Sequence, residues 1–405
     1  MQKLSLTKKY ASYPEYKDSE VEWLGAVPEN WKLERLKYVA PLYSKKVPGK
    51  NEFGTYVALE NVESWSGRHI PSQNVVEPES LVNIFENKDI LFGKLRPYLA
   101  KVFQPNFNGT ATGEFLVLRP TKKISRKYLF YRLLSQEFIN AVNDSTYGSQ
   151  MPRASWSFIG NLPVTIPNFS EQEKIAKFLD QKTTRIDELI VKKQKQIELL
   201  KEEIVSIAQN EQMNGKGENI RMRDLFKLAD RPIELEEYSE YVALGLYNRG
   251  RGLFIKNPQL GKDIKESDFY RVIPRDLIIS GQFAWEGAVA LASKDESKCV
   301  VSHRYYLLRD GVVKTEYLLA LLMTKFGDHI LNESSRGSAG RNRPLNIKIL
   351  LKEKIRVPSK ETEAKIELLL IRMSLVRGNI KKSIKLLEEY KSSLISHAVT
   401  GKIKV

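Results

Sequence analysis

The sequence predicts an α+β protein. Two similar mixed domains are expected at opposite ends of a long antiparallel two-helix coiled coil, related by a pseudo-twofold axis. Three observations predict it: an ordered internal repeat, two heptad runs in matching register, and a short glycine-broken connector between the halves.

The repeat comes first, because a duplicated unit sets every later boundary. Tyr56-Val57-Ala58-Leu59 recurs as Tyr241-Val242-Ala243-Leu244, and Asp89-Ile90-Leu91 as Asp276-Leu277-Ile278. Phe115-Leu116-Val117-Leu118-Arg119 matches Tyr305-Tyr306-Leu307-Leu308-Arg309, and Tyr128-Leu129 matches Tyr317-Leu318. Gly148-Ser149 matches Gly337-Ser338, and Val164-Thr165-Ile166-Pro167 matches Lys354-Ile355-Arg356-Val357-Pro358 at its apolar and proline positions. The offset stays between 185 and 191 throughout. Within each copy, Ile90-Leu91-Phe92, Phe115 to Leu118 and Val300 to Leu308 read as strands. Lys127 to Val142 and Thr315 to Leu331 carry helical spacing.

Each copy ends in a long helix. In the first, heptad a positions fall on Ala176, Thr183, Ile190, Ile197 and Ile204, and d positions on Leu179, Ile186, Lys193, Leu200 and Ile207. In the second, a falls on Ile366, Met373, Ile380, Leu387 and Leu394, and d on Leu369, Val376, Ser383, Tyr390 and His397. Eight of ten are apolar in each, and the registers differ by 190, inside the repeat offset. Such a seam argues for a coiled coil. Gly215 and Gly217 break the chain in the short gap between Asn210 and Arg221. The second domain must therefore start where the first helix stops, and a partner helix must run back. Ala176 to Ile207 is 32 residues, or ~48 Å at ~1.5 Å per residue, the length of roughly 14 base pairs. The expected division is 1–165 for the first domain, 166–213 for its helix, 214–355 for the second domain and 356–405 for its helix.

Composition narrows the function. The 405 residues hold 65 Lys and Arg against 49 Asp and Glu, a net charge of +16. Residues 1–165 carry +6 and residues 221–405 carry +11, while the first helix is near neutral. That surplus favours a polyanionic partner, nucleic acid first. No run of 18 apolar residues exists, so no membrane span or membrane partner is expected, and the cytoplasm is the expected location. One cysteine, Cys299, excludes an internal disulfide and any cysteine-cluster metal site, and it reads as core. The four histidines are scattered, and no metal site is expected.

Several blocks are similar to type I restriction-modification specificity subunits. The opening Tyr13-Pro14-Glu15-Tyr16-Lys17-Asp18, then Val21-Glu22-Trp23-Leu24-Gly25 and Val27-Pro28-Glu29-Asn30-Trp31, resembles the start of that family. So does Leu162-Pro163-Val164-Thr165-Ile166-Pro167, followed by Glu171-Gln172-Glu173-Lys174-Ile175-Ala176 and Leu179-Asp180, which resembles the entry to its first long helix. The second entry, Ser359 to Ile366, lacks the Glu-Gln pair. The resemblance implies a subunit that reads a bipartite, asymmetric site on double-stranded DNA, one half per domain, with the helices fixing the unread spacer. It implies docking of two methyltransferase (modification) subunits, which methylate adenine, and of restriction/translocase subunits. S-adenosylmethionine, ATP and Mg2+ would be bound by those partners, and no cofactor by this chain, which would be non-catalytic.

The residues agree with a non-catalytic part. No Gly-x-x-x-x-Gly-Lys-Ser/Thr loop is present to hold a triphosphate, and Gly109 to Gly113 reads as a turn between strands. No Asp- or Asn-Pro-Pro-aromatic tetrad is present. Glu363-x-Lys365 superficially suggests a nuclease pair, but on a charged helix it reads as a solvated ion pair.

Base reading in the major groove calls for Arg or Lys toward guanine and Asn or Gln toward adenine. The matched glycine loops supply them: Ser149, Gln150 and Arg153 in the first copy, and Arg341, Asn342 and Arg343 in the second. From Arg336 to Arg356 there are seven basic residues and one acid. Further candidates are Lys94 and Arg96, the matching Gln282, then Arg68, Arg249 and Arg251. Tyr147 and Trp285 are placed to pack on a base, or at a core rim. Two rival readings remain: a coiled-coil protein–protein scaffold without DNA readout, and a stand-alone nuclease.

Overall fold

The matched blocks meet each other inside both copies. In the computed structural model, which describes residues 10–49, 53–71, 79–148, 150–264, 268–337 and 343–405, the chain divides into two compact units. One comprises residues 1–191 with 382–405, the other residues 192–381.

In the first unit, strand Ile90–Gly93 lies between Phe115–Leu118 and Val102–Phe103, with Leu118 opposite Ile90. A second sheet runs Lys46–Val47, Val82–Phe85, Gly109–Ala111, Thr55–Val57, its last pair parallel. Gly109 to Ala111 is thus strand and not turn. Gly109 has the backbone oxygen of Thr55 against the place of a Cβ, at 2.3 Å, so only glycine fits this close strand pair. Lys32–Arg35 and Pro163–Ile166 form a two-stranded ribbon that leads into the long helix Phe169–Asn214.

The second unit repeats this plan. Strand Leu277–Ser280 lies between Tyr305–Asp310 and Val289–Leu291, with Leu277 opposite Leu308, the register of the first copy. Asn219–Arg221 pairs with Lys354–Arg356 before the long helix Lys360–Val399. The run expected as one strand from Val300 to Leu308 is two, Val300–Ser302 and Tyr305–Asp310, in different sheets.

Buried ion pairs copy the repeat. Asp89, fully buried, accepts from Arg119 Nε at 2.7 Å and Nη2 at 2.9 Å, and the guanidinium lies 3.7 Å over Tyr43. Asp276, also fully buried, accepts from Arg309 at 3.2 Å and from Arg231. Asp89/Asp276 and Arg119/Arg309 are two of the matched pairs, so the repeat carries a three-dimensional contact as well as letters.

Each expected domain helix is split in two. Arg126–Leu134 and Gln136–Asp144 part at Ser135, whose backbone is extended (φ −66°, ψ 143°). Its hydroxyl donates to the Arg132 carbonyl and accepts from Arg132 Nη1, both at 2.7 Å, an alternative to the helical ladder. Thr315–Leu322 and Lys325–Glu333 part at Thr324, whose hydroxyl accepts from the Gly327 N–H at 3.1 Å. Tyr128 and Tyr317, on the first helix of each pair, are fully buried.

The long helices enter each unit's own core. In the first unit, Ile175, Ala176 and Leu179 share a cluster with Leu394, Ile395 and Ala398, and Asp187 pairs with Lys391 at 2.8 Å. Residue numbers rise on one helix as they fall on the other, so these segments run antiparallel. In the second unit, Ile204 and Ala208 share a cluster with Ile366 and Leu369, and Glu211 accepts from the Ser359 N–H at 2.8 Å. All twenty a and d positions are buried or partly buried, including Ile190, Ile197, Leu200, Met373, Val376, Ile380 and Leu387. Off the seam, Leu199, Leu368 and Leu375 are exposed.

The entry to the second helix corrects an expectation. Glu363 is buried rather than solvated: its Oε1 accepts from the Lys314 N–H at 2.8 Å, at the start of helix Thr315–Leu322. Gln172 does the same in the first unit, accepting from the Ser125 N–H at 2.7 Å. A carboxylate replaces an amide as acceptor for an orphan helix-start donor, so the Glu-Gln pair is absent while its role persists. Cys299 is buried and free.

Candidate nucleic-acid interface

A basic cluster of the first unit forms where strand Ile90–Gly93 ends. The turn that follows carries Lys94 and Arg96, and Arg96 takes a left-handed backbone (φ 49°), a strained conformation for a residue with a Cβ. The glycine loop lies beside it. The Ala154 N–H donates to the Lys94 carbonyl at 3.0 Å, and the Arg96 N–H to the Pro152 carbonyl at 2.8 Å. Arg96 Nη2 reaches the Gln150 carbonyl at 3.4 Å. Tyr147 and Arg153 exchange backbone hydrogen bonds of 3.3 and 3.1 Å, pinching the loop. Lys94, Arg96, Gln150 and Arg153 are therefore brought together; Ser149 lies outside the described residues.

Arg153 is engaged: Glu114 accepts from its Nη2 at 3.0 Å and from its Nε at 3.2 Å. That hydrogen bond holds the guanidinium above its ordinary pKa. Glu114 follows Gly113 in a turn, and nothing in the sequence pattern singled it out. Exposed Tyr98, Tyr147 and Met151 border the cluster. Arg68 sits on a separate turn, paired with Glu63 at 2.6 Å.

The second unit builds its cluster on the equivalent turn. The Leu345 N–H donates to the Gly281 carbonyl at 2.7 Å, repeating the Ala154–Lys94 bond. Gln282 is exposed next to it. Arg343 lies over the Trp285 ring, 5.3 Å from its centre. Arg341 and Asn342 lie outside the described residues. Arg249 and Arg251 occupy the turn between strands Leu244–Leu246 and Leu253–Ile255. The Arg249 N–H donates to the Glu286 carbonyl and the Gly250 N–H to the Gly287 carbonyl, both at 2.8 Å. Arg251 donates to the Asn248 carbonyl at 3.0 Å and lies 5.4 Å over Tyr247.

Between this turn, the helical turn Ala284–Glu286 and the long helix lies a cavity of about 530 Å3, lined among others by Lys201, Arg249, Trp285, Asp328 and Asn332. Lys201 donates to the Arg249 carbonyl at 3.0 Å. Comparison of the copies explains the opening. The Trp65 N–H bonds the Ala100 carbonyl as the Gly250 N–H bonds Gly287, so an indole that packs on the first core has no counterpart in the second. Counted from the helix caps Ser135 and Thr324, buried Ile139 corresponds to Asp328. Burial pushes the Asp328 carboxyl up. Lys201 and Asn332 escaped sequence reasoning because both sit on helices whose pattern speaks only of packing.

Among the described residues, no group of three His, Cys, Asp or Glu could hold a metal ion, and no helix is long and apolar enough to cross a membrane. Both units present arginine and amide side chains on turns around equivalent strand ends, and the first unit adds Lys94, donors suited to phosphate and base edges.

Residues 28–199 match the family model described as the type I restriction modification DNA specificity domain. Over that segment the chain is similar to the type I restriction-modification specificity family. The match runs from the N-terminal ribbon past the middle of the first long helix. The chain is 27% identical over 161 residues to the type I restriction enzyme EcoDI specificity subunit of Escherichia coli, covering 39% of this chain and 36% of that protein. It is 26% identical over 246 residues to the type I restriction enzyme MjaVIII specificity subunit of Methanocaldococcus jannaschii, covering 56% of this chain and 54% of the relative. The chain thus aligns with only about a third to a half of these relatives. A solved structure, described as the structural basis of complex assembly and conformational transition of the type I R-M system, contains a chain 14% identical to this one. It has a TM-score of 0.63 and covers 92% of this chain and 98% of that chain, which shows a shared fold.

Proposed function

We propose that this chain is the DNA specificity subunit of a type I restriction-modification complex. Residues 1–165 and 214–355 each read one half of a bipartite, asymmetric site on double-stranded DNA. The long helices pair and set the unread spacer. The chain docks two modification subunits, which use S-adenosylmethionine to methylate adenine, and restriction subunits that use ATP and Mg2+; it catalyses nothing itself and works in the cytoplasm. The observation that carries this reading is the equivalence of the two basic turns: Lys94 with Ala154, and Gly281 with Leu345, are joined by the same backbone bond in both copies, and each joint presents donors for base edges. The match of residues 28–199 to the specificity-domain family model supports it.

The test is single-molecule sequencing of DNA exposed to this chain with its modification partner. Methylated adenines within one split motif of fixed spacing are expected, together with DNA affinity that falls steeply with salt. Binding insensitive to salt and sequence would favour the scaffold instead. Metal-dependent cutting by the purified chain would favour a nuclease.

A further inference from the structure

We infer that Arg343 reads guanine for the second domain and that Trp285 is the positioning residue that aims it, an inference that rests on the DNA-reading function proposed above. Arg343 is exposed, and its guanidinium lies over the Trp285 ring at 5.3 Å from the centre. The two residues are rooted on one support. Trp285 sits in the helical turn Ala284–Glu286, which closes on Gly287 in the left-handed region (φ 69°). Two residues after Arg343, the Leu345 N–H is fastened to Gly281 at 2.7 Å, and Leu345 also bridges to Ser335. The contact therefore joins Arg343 to the very turn that exposes Gln282.

The chemistry of the stack decides its use. A guanidinium held over a ring face keeps N–H groups available for hydrogen bonding, and the group itself is a planar fork. That fork matches the O6 and N7 acceptors of guanine in the major groove. Holding it in place lowers the rotamer freedom that binding would otherwise remove. The indole N–H of Trp285 is buried and has no hydrogen-bond partner among the described residues, so the ring offers Arg343 its face and not its donor. In the first unit, the loop arginine Arg153 already gives Nε and Nη2 to Glu114. No carboxylate pairs with Arg343 among the described residues. Of the two, Arg343 is the arginine with its fork free of a carboxylate and a ring beside it.

The experiment selects duplexes from a randomised pool with the full chain and its modification partner, and compares base preference position by position for R343A, R343K, W285A, W285F and the double variant R343A/W285A. Wild type is expected to prefer guanine at one position of one half-site. R343A should relax that position by roughly 5- to 150-fold and leave the other half-site untouched. R343K should relax it too, since an ammonium offers no fork. W285A should relax the same position, W285F should restore most of the preference by returning a ring face, and the double variant should be no worse than R343A. Uniform weakening at every position by W285A and W285F alike would make Trp285 a merely structural residue and overturn the positioning role. Full guanine preference in R343A, with selective binding intact, would overturn the assignment of Arg343 while leaving the proposed function standing. Absence of any preference in the wild-type chain would remove the proposed function itself.

Discussion

Asp89→Ala probes the contact that both copies share. The Asp89 carboxylate is fully buried and accepts from Arg119 Nε at 2.7 Å, Arg119 Nη2 at 2.9 Å and the Glu86 N–H at 2.8 Å. Removing one partner of a buried pair costs roughly 3–5 kcal/mol, because the other charge is left uncompensated. Here the Arg119 side chain is 26% exposed and keeps Glu86 at 2.9 Å, which places the loss at the low end, about 3 kcal/mol. For a unit of this size each kcal/mol moves the melting temperature by about 2–4 °C, so the first transition should fall by roughly 6–12 °C. Asp276→Ala removes the acceptor of Arg309, Arg231 and the Ile273 N–H and should lower the second unit similarly. Calorimetry of the full chain with each variant, and with both, reads the two effects separately. A drop under about 2 °C in either would reduce the pair to a surface ion pair and refute the argument that the repeat conserves a stabilising contact.

Tyr128→Phe and Tyr317→Phe should differ in sign. The Tyr128 hydroxyl bonds the carbonyls of Thr165 and Val399, both at 3.1 Å, and its loss should cost about 1–3 kcal/mol in urea denaturation. The Tyr317 hydroxyl is buried with no partner among the described residues, so its removal should be neutral or stabilising. Acid should destabilise the second unit through Asp310. Burial pushes that carboxyl up, but the Thr315 N–H and hydroxyl, with Arg275 and Arg309, outweigh burial and hold it below its ordinary 3.8. A depressed folded pKa contributes stability above 3.8 that is lost as pH falls below it. Glu316 opposes this in part, since burial pushes its carboxyl up and folding therefore favours its protonated form. Asp310→Asn should flatten the acid limb of a urea-midpoint profile. Inserting one heptad into each long helix adds ~10.5 Å and should lengthen the methylated motif's spacer by about three base pairs; an unchanged spacer would sink the ruler.

The parts of the fold legible in the sequence were those governed by short-range periodicity. Strand Phe115–Leu118 is a run of apolar residues buried on both faces, and the heptad positions Ile186, Leu200, Ile366 and Ile380 are buried at helical spacing that solvent cannot imitate. Breaks decided by one side chain were hidden. Ser135 and Thr324 interrupt patterns that remain apolar and periodic across them, because a hydroxyl competing for the backbone leaves hydrophobic spacing unchanged. Glu363 looked solvated since its neighbours are charged; one oxygen does pair with nearby Lys360 at 2.7 Å, but the other is drawn inward by the Lys314 N–H, distant in sequence. The candidate interface was legible as residue type at loop positions, which gathered Lys94, Arg96 and Gln150. What each side chain is free to do was not, because Glu114 and Trp285 act on Arg153 and Arg343 across the chain.

The closing residues of the chain lie in the first unit: the Val399 carbonyl accepts from Tyr128 and from Thr165 Oγ1, and the Lys404 N–H donates to the Ala11 carbonyl at 2.8 Å. A ribosome making this protein therefore delivers the middle before it can finish the beginning. Residues 192–381 are contiguous and can close as soon as they emerge, whereas the N-terminal half waits with its hydrophobic interior incomplete until Leu394, Ala398 and Ile403 arrive. The usual order of vectorial folding is thereby reversed for the last part of the first core, whose closing residues are made after residues 192–381.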